Sequence, residues 1–285
     1  MSEALHVGAP SDVAVEGTEI GELPDALSHR EELERRLSGK RPAVFLDYDG
    51  TLTPIVARPQ DAVLSDGMRE VVRALARRCT VCVISGRDRV VVQQLMGIDD
   101  LITAGSHGFD IWSPREGTIG HPAADGFDGL LERVRTGLGQ MVSAIEGINI
   151  EPKRSSVAVH YRNVFEPDRQ RVREAVDALL ARFPSELKVT PGKMVYEIQP
   201  NVDWHKGKAV LHLLGVLGLD RDDVMPLYLG DDVTDEDAFA VLRGRGIGIF
   251  VGSPEDPEVA GRRTLASYVL ASTRHVEQFL DALAR

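Results

Sequence analysis

Residues 43–53 read AVFLDYDGTLT. The apolar run Ala43 to Leu46 has no polar interruption, which is the pattern of a strand buried on both faces of a parallel sheet. Asp47 and Asp49 follow at its carboxyl end, where open α/β sheets bind their ligands. Two half-desolvated carboxylates so close together need a cation, or a proton on one of them. The plainer reading, a charged strand end with an Asp-Gly turn, is disfavoured because buried Asp is seldom kept without a partner.

Downstream of this strand the apolar period changes. Met68, Val71, Val72 and Leu75 fall at i, i+3, i+4 and i+7, which predicts an amphipathic helix with Ser65 as its N-cap. Strand CTVCVIS (79–85), a helix from Arg89 to Met96 and strand LITAGS (101–106) come next. Strand and helix in alternation imply a parallel sheet with right-handed crossovers. The middle of the chain differs. Leu130 to Ile145 marks a long helix, INIEP and SSVAVHYR read as strands, Val172 to Leu180 as a helix, and ELKVT and KMVYEIQP as strands joined at Pro191-Gly192. That order, αββαββ, suits a small α+β domain. After Pro200 the alternation resumes with a helix from Lys206, strand MPLYLGDD, a helix near Glu236, strands IGIFVG and SYVLAS, and a last helix. The expected fold is α/β: a Rossmann-like, doubly wound parallel sheet with an inserted α+β cap. Residues 31–110 and 201–285 would form the core, 111–200 the cap, and 1–30 a flexible arm leading into a short amphipathic helix within 23–37.

The chain has 285 residues and a formal net charge of −11, so no basic face is expected for nucleic acid or anionic membrane. An anionic substrate would need local positive charge. No apolar run approaches the ~20 residues of a membrane helix, and the acidic N-terminus lacks the features of a signal peptide. Cys79 and Cys82 have CxxC spacing, but three residues apart on a strand they point to opposite faces, and no second pair exists for zinc. Buried, inert thiols in a reducing cytoplasm are expected.

Three further strand-end motifs bear on chemistry. Ser85 and Gly86, in VISGR, offer a hydroxyl and backbone amides to an anion. Gly230 to Glu236, GDDVTDE, places acidic side chains after another apolar strand, which suits a hard cation such as magnesium. Its plainer reading is an acidic first helical turn with Thr234 as N-cap. WHKGK offers Lys206 or Lys208 at a helix start.

In this order, DYDGTLT, VISGR, a lysine and GDDVTDE resemble the four motifs of the haloacid dehalogenase superfamily of aspartate phosphatases. The finer pattern, with GSHG (105–108), HYR (160–162) and KG, is similar to the trehalose-6-phosphate phosphatases. The resemblance implies Mg2+-dependent hydrolysis of trehalose 6-phosphate to trehalose through an aspartyl-phosphate. It makes Asp47 the nucleophile and Asp49 the general acid and then base. Asp47, the Asp49 carbonyl and Asp231 would hold the metal. Thr51, Ser85, Gly86 and Lys206 would bind phosphate, with Lys206 matching better than Lys208. Asp232 and Asp235 would give support, and Lys153, Arg162, Glu197 and His107 would read the sugar. Coupling to a trehalose-6-phosphate synthase is implied as well. Rivals are other sugar phosphates (sucrose phosphate, glucosylglycerol phosphate, a mannosyl derivative), a phospho-accepting receiver domain, and a non-catalytic partner of a synthase.

Overall fold

The computed structural model describes residues 17–120, 127–192 and 194–285. The elements before the insert are β1 (Thr18–Glu19), α1 (Arg30–Leu37), β2 (Arg41–Leu46), α2 (Asp66–Ala76), β3 (Thr80–Ile84), α3 (Arg89–Met96), β4 (Ile102–Gly105), β5 (Asp110–Ser113) and β6 (Gly117–Ile119). The insert holds α4 (Phe127–Met141), β7 (Asn149–Pro152), β8 (Val157–His160), α5 (Arg169–Leu180), β9 (Leu187–Gly192) and β10 (Val195–Pro200). The chain then returns through α6 (Lys206–Val216), β11 (Val224–Gly230), α7 (Val233–Leu242), β12 (Ile247–Val251), β13 (Arg263–Thr264), β14 (Tyr268–Leu270) and α8 (Thr273–Ala284).

Two compact units result, one continuing to Ile119 and resuming at Trp204, the other spanning Gly120–Asp203. In the first, eight strands lie in the order β14-β12-β11-β2-β3-β4-β5-β6. Pairing is parallel from β14 to β4 and antiparallel beyond. Strand alternation divides the core between the two faces. Val44 and Leu46 join Met68, Val72 and Leu75 of α2, Val92 of α3 and Leu280 of α8. Ala43 and Phe45 join Leu213 of α6 and Phe239 of α7. The chain leaves β2 toward β3 and β4, and returns on its other side through β11. Asp47 therefore emerges at the switch point, where a crevice opens. Ser65 caps α2 as expected, its Oγ accepting from Met68 N at 3.2 Å.

The second unit is a four-stranded antiparallel sheet, β7-β8-β10-β9. Val157, Val159 and Ile198 pack against Val134 and Leu138 of α4 and Val176 and Leu179 of α5. The strand-and-helix order of the insert is the αββαββ read from the sequence.

Three boundaries are corrected. β5 and β6 extend the large sheet from β4, so the insert begins at Gly120 and not at 111. Residues 17–30 are packed: β1 pairs with β13, and Ile20 and Ala26 are buried; the rest of the expected arm, 1–16, lies outside the described residues. β9 continues through Gly192, so the Pro191-Gly192 pair is strand, and Met194, left-handed at φ 65°, precedes β10. Cys79 and Cys82 are unbridged and pack toward opposite faces of the sheet. No helix among the described residues is long and apolar enough to cross a membrane.

Candidate active site

Asp47 follows the last residue of β2, and its N–H donates to the Leu229 carbonyl of β11 at 2.9 Å. The neighbouring strand thereby fixes its height at the sheet end. Lys206 opens α6, and its Nζ donates to Asp47 Oδ1 and Asp235 Oδ1, both at 2.7 Å. The ammonium is 3% exposed. Lys208 is only half-buried, so Lys206 is the lysine of this site. Asp235 is fully enclosed. It accepts from Lys206 and from the Tyr228 hydroxyl at 2.6 Å on one oxygen, and from the N–H groups of Asp231 and Asp232 at 3.0 Å each on the other. Asp232 is the N-cap of α7, correcting the expectation for Thr234, which lies inside the helix.

Gly50 turns the chain back toward this cluster. Its φ is 76°, and a Cβ there would lie 2.0 Å from Asp231 Oδ2. Both the left-handed backbone and the close approach require glycine. Thr51, buried, brings its Oγ1 to 3.4 Å from Asp231 Oδ1. Asp49 points to Arg87 of β3's following turn. Arg87 Nε and Nη2 donate to its two oxygens at 2.6 and 2.5 Å, and Nη1 donates to the Pro59 carbonyl at 2.7 Å. Ser85 is buried at the end of β3, and its Oγ accepts from Arg87 N at 3.2 Å. A Cβ on Gly86 would meet the His107 ring at 2.7 Å. Ser106 and His107 are both left-handed, at φ 50° and 57°. Such strain gathers at functional sites. His107 therefore belongs to the large unit, beside Ser85 and Gly86, and not to the cap.

The electrostatics are those of too many carboxylates for one ammonium. One oxygen from each of Asp47, Asp231 and Asp235 lies within 4.8 Å of the other two. Burial pushes the Asp47 carboxyl well above its usual range, against the pull of Lys206, and the charges of Asp235 and Asp231 add to the rise. Burial, with Asp235 beside it, pushes Asp231 up to about 7. Burial alone would lower the Lys206 ammonium, but Asp47 and Asp235 hold it above the usual lysine range. Asp235 is already committed to four donors. Asp47 and Asp231 have oxygens left over, and a divalent cation with hard oxygen ligands fits that surplus.

In the inserted unit, Lys153 Nζ donates to both oxygens of Glu197 at 3.1 Å, and Ser156 Oγ donates to Glu197 at 2.6 Å. The pairing of Glu197 with Ala158 places it on the strand face shared by His160, opposite the apolar face of Tyr196 and Ile198. Arg162 is not part of that cluster. It is exposed in the turn after β8 and lines a cavity of about 230 Å³ with His160 and Asn149. His160 itself pairs with Glu151 at 2.7 Å. The sequence reading missed Arg87, Tyr228 and Ser156. Arg87 had a signal, a cation straight after the Ser-Gly of a strand end; Tyr228, inside a wholly apolar run, had none.

A carboxylate pair at the switch point of a doubly wound sheet, beside a buried lysine and a second acidic strand end, is the arrangement expected of the haloacid dehalogenase fold. The fold agrees, since a haloacid dehalogenase-like hydrolase from Bacteroides thetaiotaomicron superposes with a TM-score of 0.58 over 85% of this chain and 99% of its own, at 15% identity. More narrowly, the family described as Trehalose-phosphatase matches residues 45–273, and the chain belongs to that family. The trehalose 6-phosphate phosphatase RA3 of Zea mays is 40% identical, across 99% of this chain and 81% of its own length. A trehalose-6-phosphate phosphatase structure from Aspergillus fumigatus is 30% identical, with a TM-score of 0.63, covering 92% of this chain and 98% of that one. The chain also spans 20% of a longer Mycobacterium tuberculosis protein described as an uncharacterized glycosyl hydrolase, at 43% identity over 93% of its own length.

Proposed function

We propose that this protein hydrolyses trehalose 6-phosphate to trehalose and inorganic phosphate, with magnesium. The observation that carries the reading is Lys206 bridging Asp47 and Asp235 at 2.7 Å each, with Asp231 alongside. Asp47, Asp231 and the Asp49 carbonyl would hold Mg2+, whose charge lowers the repulsion between a carboxylate and a phosphate dianion.

An Asp47 oxygen attacks phosphorus while Asp49, protonated once it has parted from Arg87, gives that proton to the departing sugar oxygen. The P–O bond to the sugar breaks, leaving an aspartyl-phosphate and free disaccharide. Asp49, now a carboxylate, takes a proton from water, and that water's oxygen displaces Asp47 from phosphorus. Lys206, Thr51 and Ser85, with the Gly86 amide, receive the phosphoryl oxygens, in a site whose dipoles are already oriented. Arg87 holds the Asp49 carboxylate in its ionised state. Lys153, Glu197, Arg162 and His107 supply donors and acceptors for sugar hydroxyls. The substrate would be supplied by a trehalose-6-phosphate synthase. The unbridged thiols of Cys79 and Cys82 support a reducing, cytoplasmic setting.

A phosphate-release panel tests the substrate. Because a site built to hydrogen-bond hydroxyls at set positions rejects ligands that lack or misplace them, trehalose 6-phosphate should exceed sucrose phosphate and glucosylglycerol phosphate in kcat/KM by about 10² or more. A different sugar phosphate at the top of the panel would overturn the substrate, and a slowly decaying phosphoprotein indifferent to sugar would favour a receiver.

A further inference from the structure

The catalytic residues crown the carboxyl end of the large sheet. A second cavity, of about 580 Å³, lies at its amino end. The start of β2, the junction of α2 with β3, the residues leading into β4, the β5–β6 hairpin and the end of α6 line it, and it is open to solvent. The length of β2, at ~3.3 Å per residue, puts it about 20 Å from Asp47.

Its lining is strongly biased in charge. Lys40, Arg41, Arg77, Arg78 and Arg115 face it, against Asp100 and Glu116. The chain as a whole carries −11, so this is a local reversal of sign. Two of the cations have partners: Arg41 pairs with Asp223 at 3.0 Å, and Arg78 donates to the Ala284 carbonyl at 2.8 Å. Lys40, Arg77 and Arg115 have no side-chain hydrogen bond or ion pair among the described residues. The carboxyl end of α2 accounts for cations at 77 and 78. It does not account for Lys40 and Arg115, which arrive from two other elements. Unpaired like charges brought together repel one another. The cavity also has an apolar wall, including Leu101, Ile102 and Leu219, which are nearly buried. Its volume falls in the range of small-molecule sites, where apolar walls and a few convergent polar groups bind together.

We propose that this amino-end cavity is a binding site for a phosphorylated metabolite of at least two negative charges, separate from the catalytic site. Lys40, Arg77 and Arg115 take the phosphate oxygens, and the organic portion lies against Ile102 and Leu219. Arginine suits this by its fork of donors. Binding is expected to weaken as salt rises, because the cations are exposed.

Hydrogen exchange of the whole protein, with ATP and with glucose 6-phosphate as probes, tests this and separates a nucleotide source from a sugar source. At least one probe should slow exchange in peptides covering 76–80 and 113–116, apart from any effect near Asp47. The double variant Arg77→Ser, Arg115→Ser should bind that probe about tenfold more weakly, with kcat/KM for trehalose 6-phosphate unchanged. Both positions are exposed, so the fold should tolerate the change, and an unaltered melting temperature would verify that. No slowing in either segment with either probe would overturn the proposal. So would equal affinity in the folded variant, or protection confined to the catalytic end.

Discussion

Lys206 lies 2.7 Å from each of two carboxylates and is almost wholly enclosed. Removing one partner of a buried ion pair costs more than the pair itself contributes, because the remaining charge has no water to turn to. Lys206→Met should therefore destabilise the metal-free protein by about 3–5 kcal/mol, read from the midpoint of denaturant unfolding. A loss under about 1 kcal/mol would mean the ammonium does not hold Asp47 and Asp235 in place. The sequence left Lys206 and Lys208 as rivals. A helix separates them by about 200° around its axis, so only one can face the strand ends. Which one does depends on how α6 lies on the sheet, and that is not written locally. Arg87 shows the same limit. VISGR marks the strand end, but its long side chain reaches Asp49, thirty-eight positions earlier in the chain, and no spacing rule records such a reach.

Elements were more legible than contacts. α3 begins and ends at the residues expected, because Asp88 accepts from Val90 N at 2.9 Å and Gly97 turns left-handed at φ 62°. The β5–β6 hairpin was absorbed into the insert, since Asp110 to Ile119 carries a turn signal without saying which strand it pairs with. Only pairing of β5 with β4 assigns it to the large sheet. The insert carries its own apolar cluster, with Leu138 of α4 fully buried beside Leu179 of α5. Leu138→Ala should cost about 2–5 kcal/mol through lost burial and the cavity left behind. Hydrogen exchange should quicken across 127–200 more than in β2. Equal quickening of β2 would show that the insert has no core of its own.

At the scale of the whole molecule, the motifs are far apart in sequence and meet because β2, β3 and β11 are adjacent and parallel. That convergence followed from strand-and-helix alternation alone, since a doubly wound sheet brings strand ends to one crevice. The residues proposed to read the sugar were less legible. Lys153, in the turn between β7 and β8, meets Glu197 of β10, and the β8–β10 register leaves Arg162 beyond the last pair. In the proposed function a chain of net charge −11 would meet an anionic substrate through one buried lysine and the cation that its paired carboxylates invite. The reading stands on Asp47 taking the phosphoryl group. Acid-quenched protein from a single turnover with trehalose 6-phosphate, digested and weighed by mass spectrometry, should carry one phosphoryl group on the peptide containing Asp47. Asp47→Asn should carry none and should turn over about four orders of magnitude more slowly or worse. A phosphoryl group found on another residue, or an Asp47→Asn variant that still turns over at the original rate, would contradict the account.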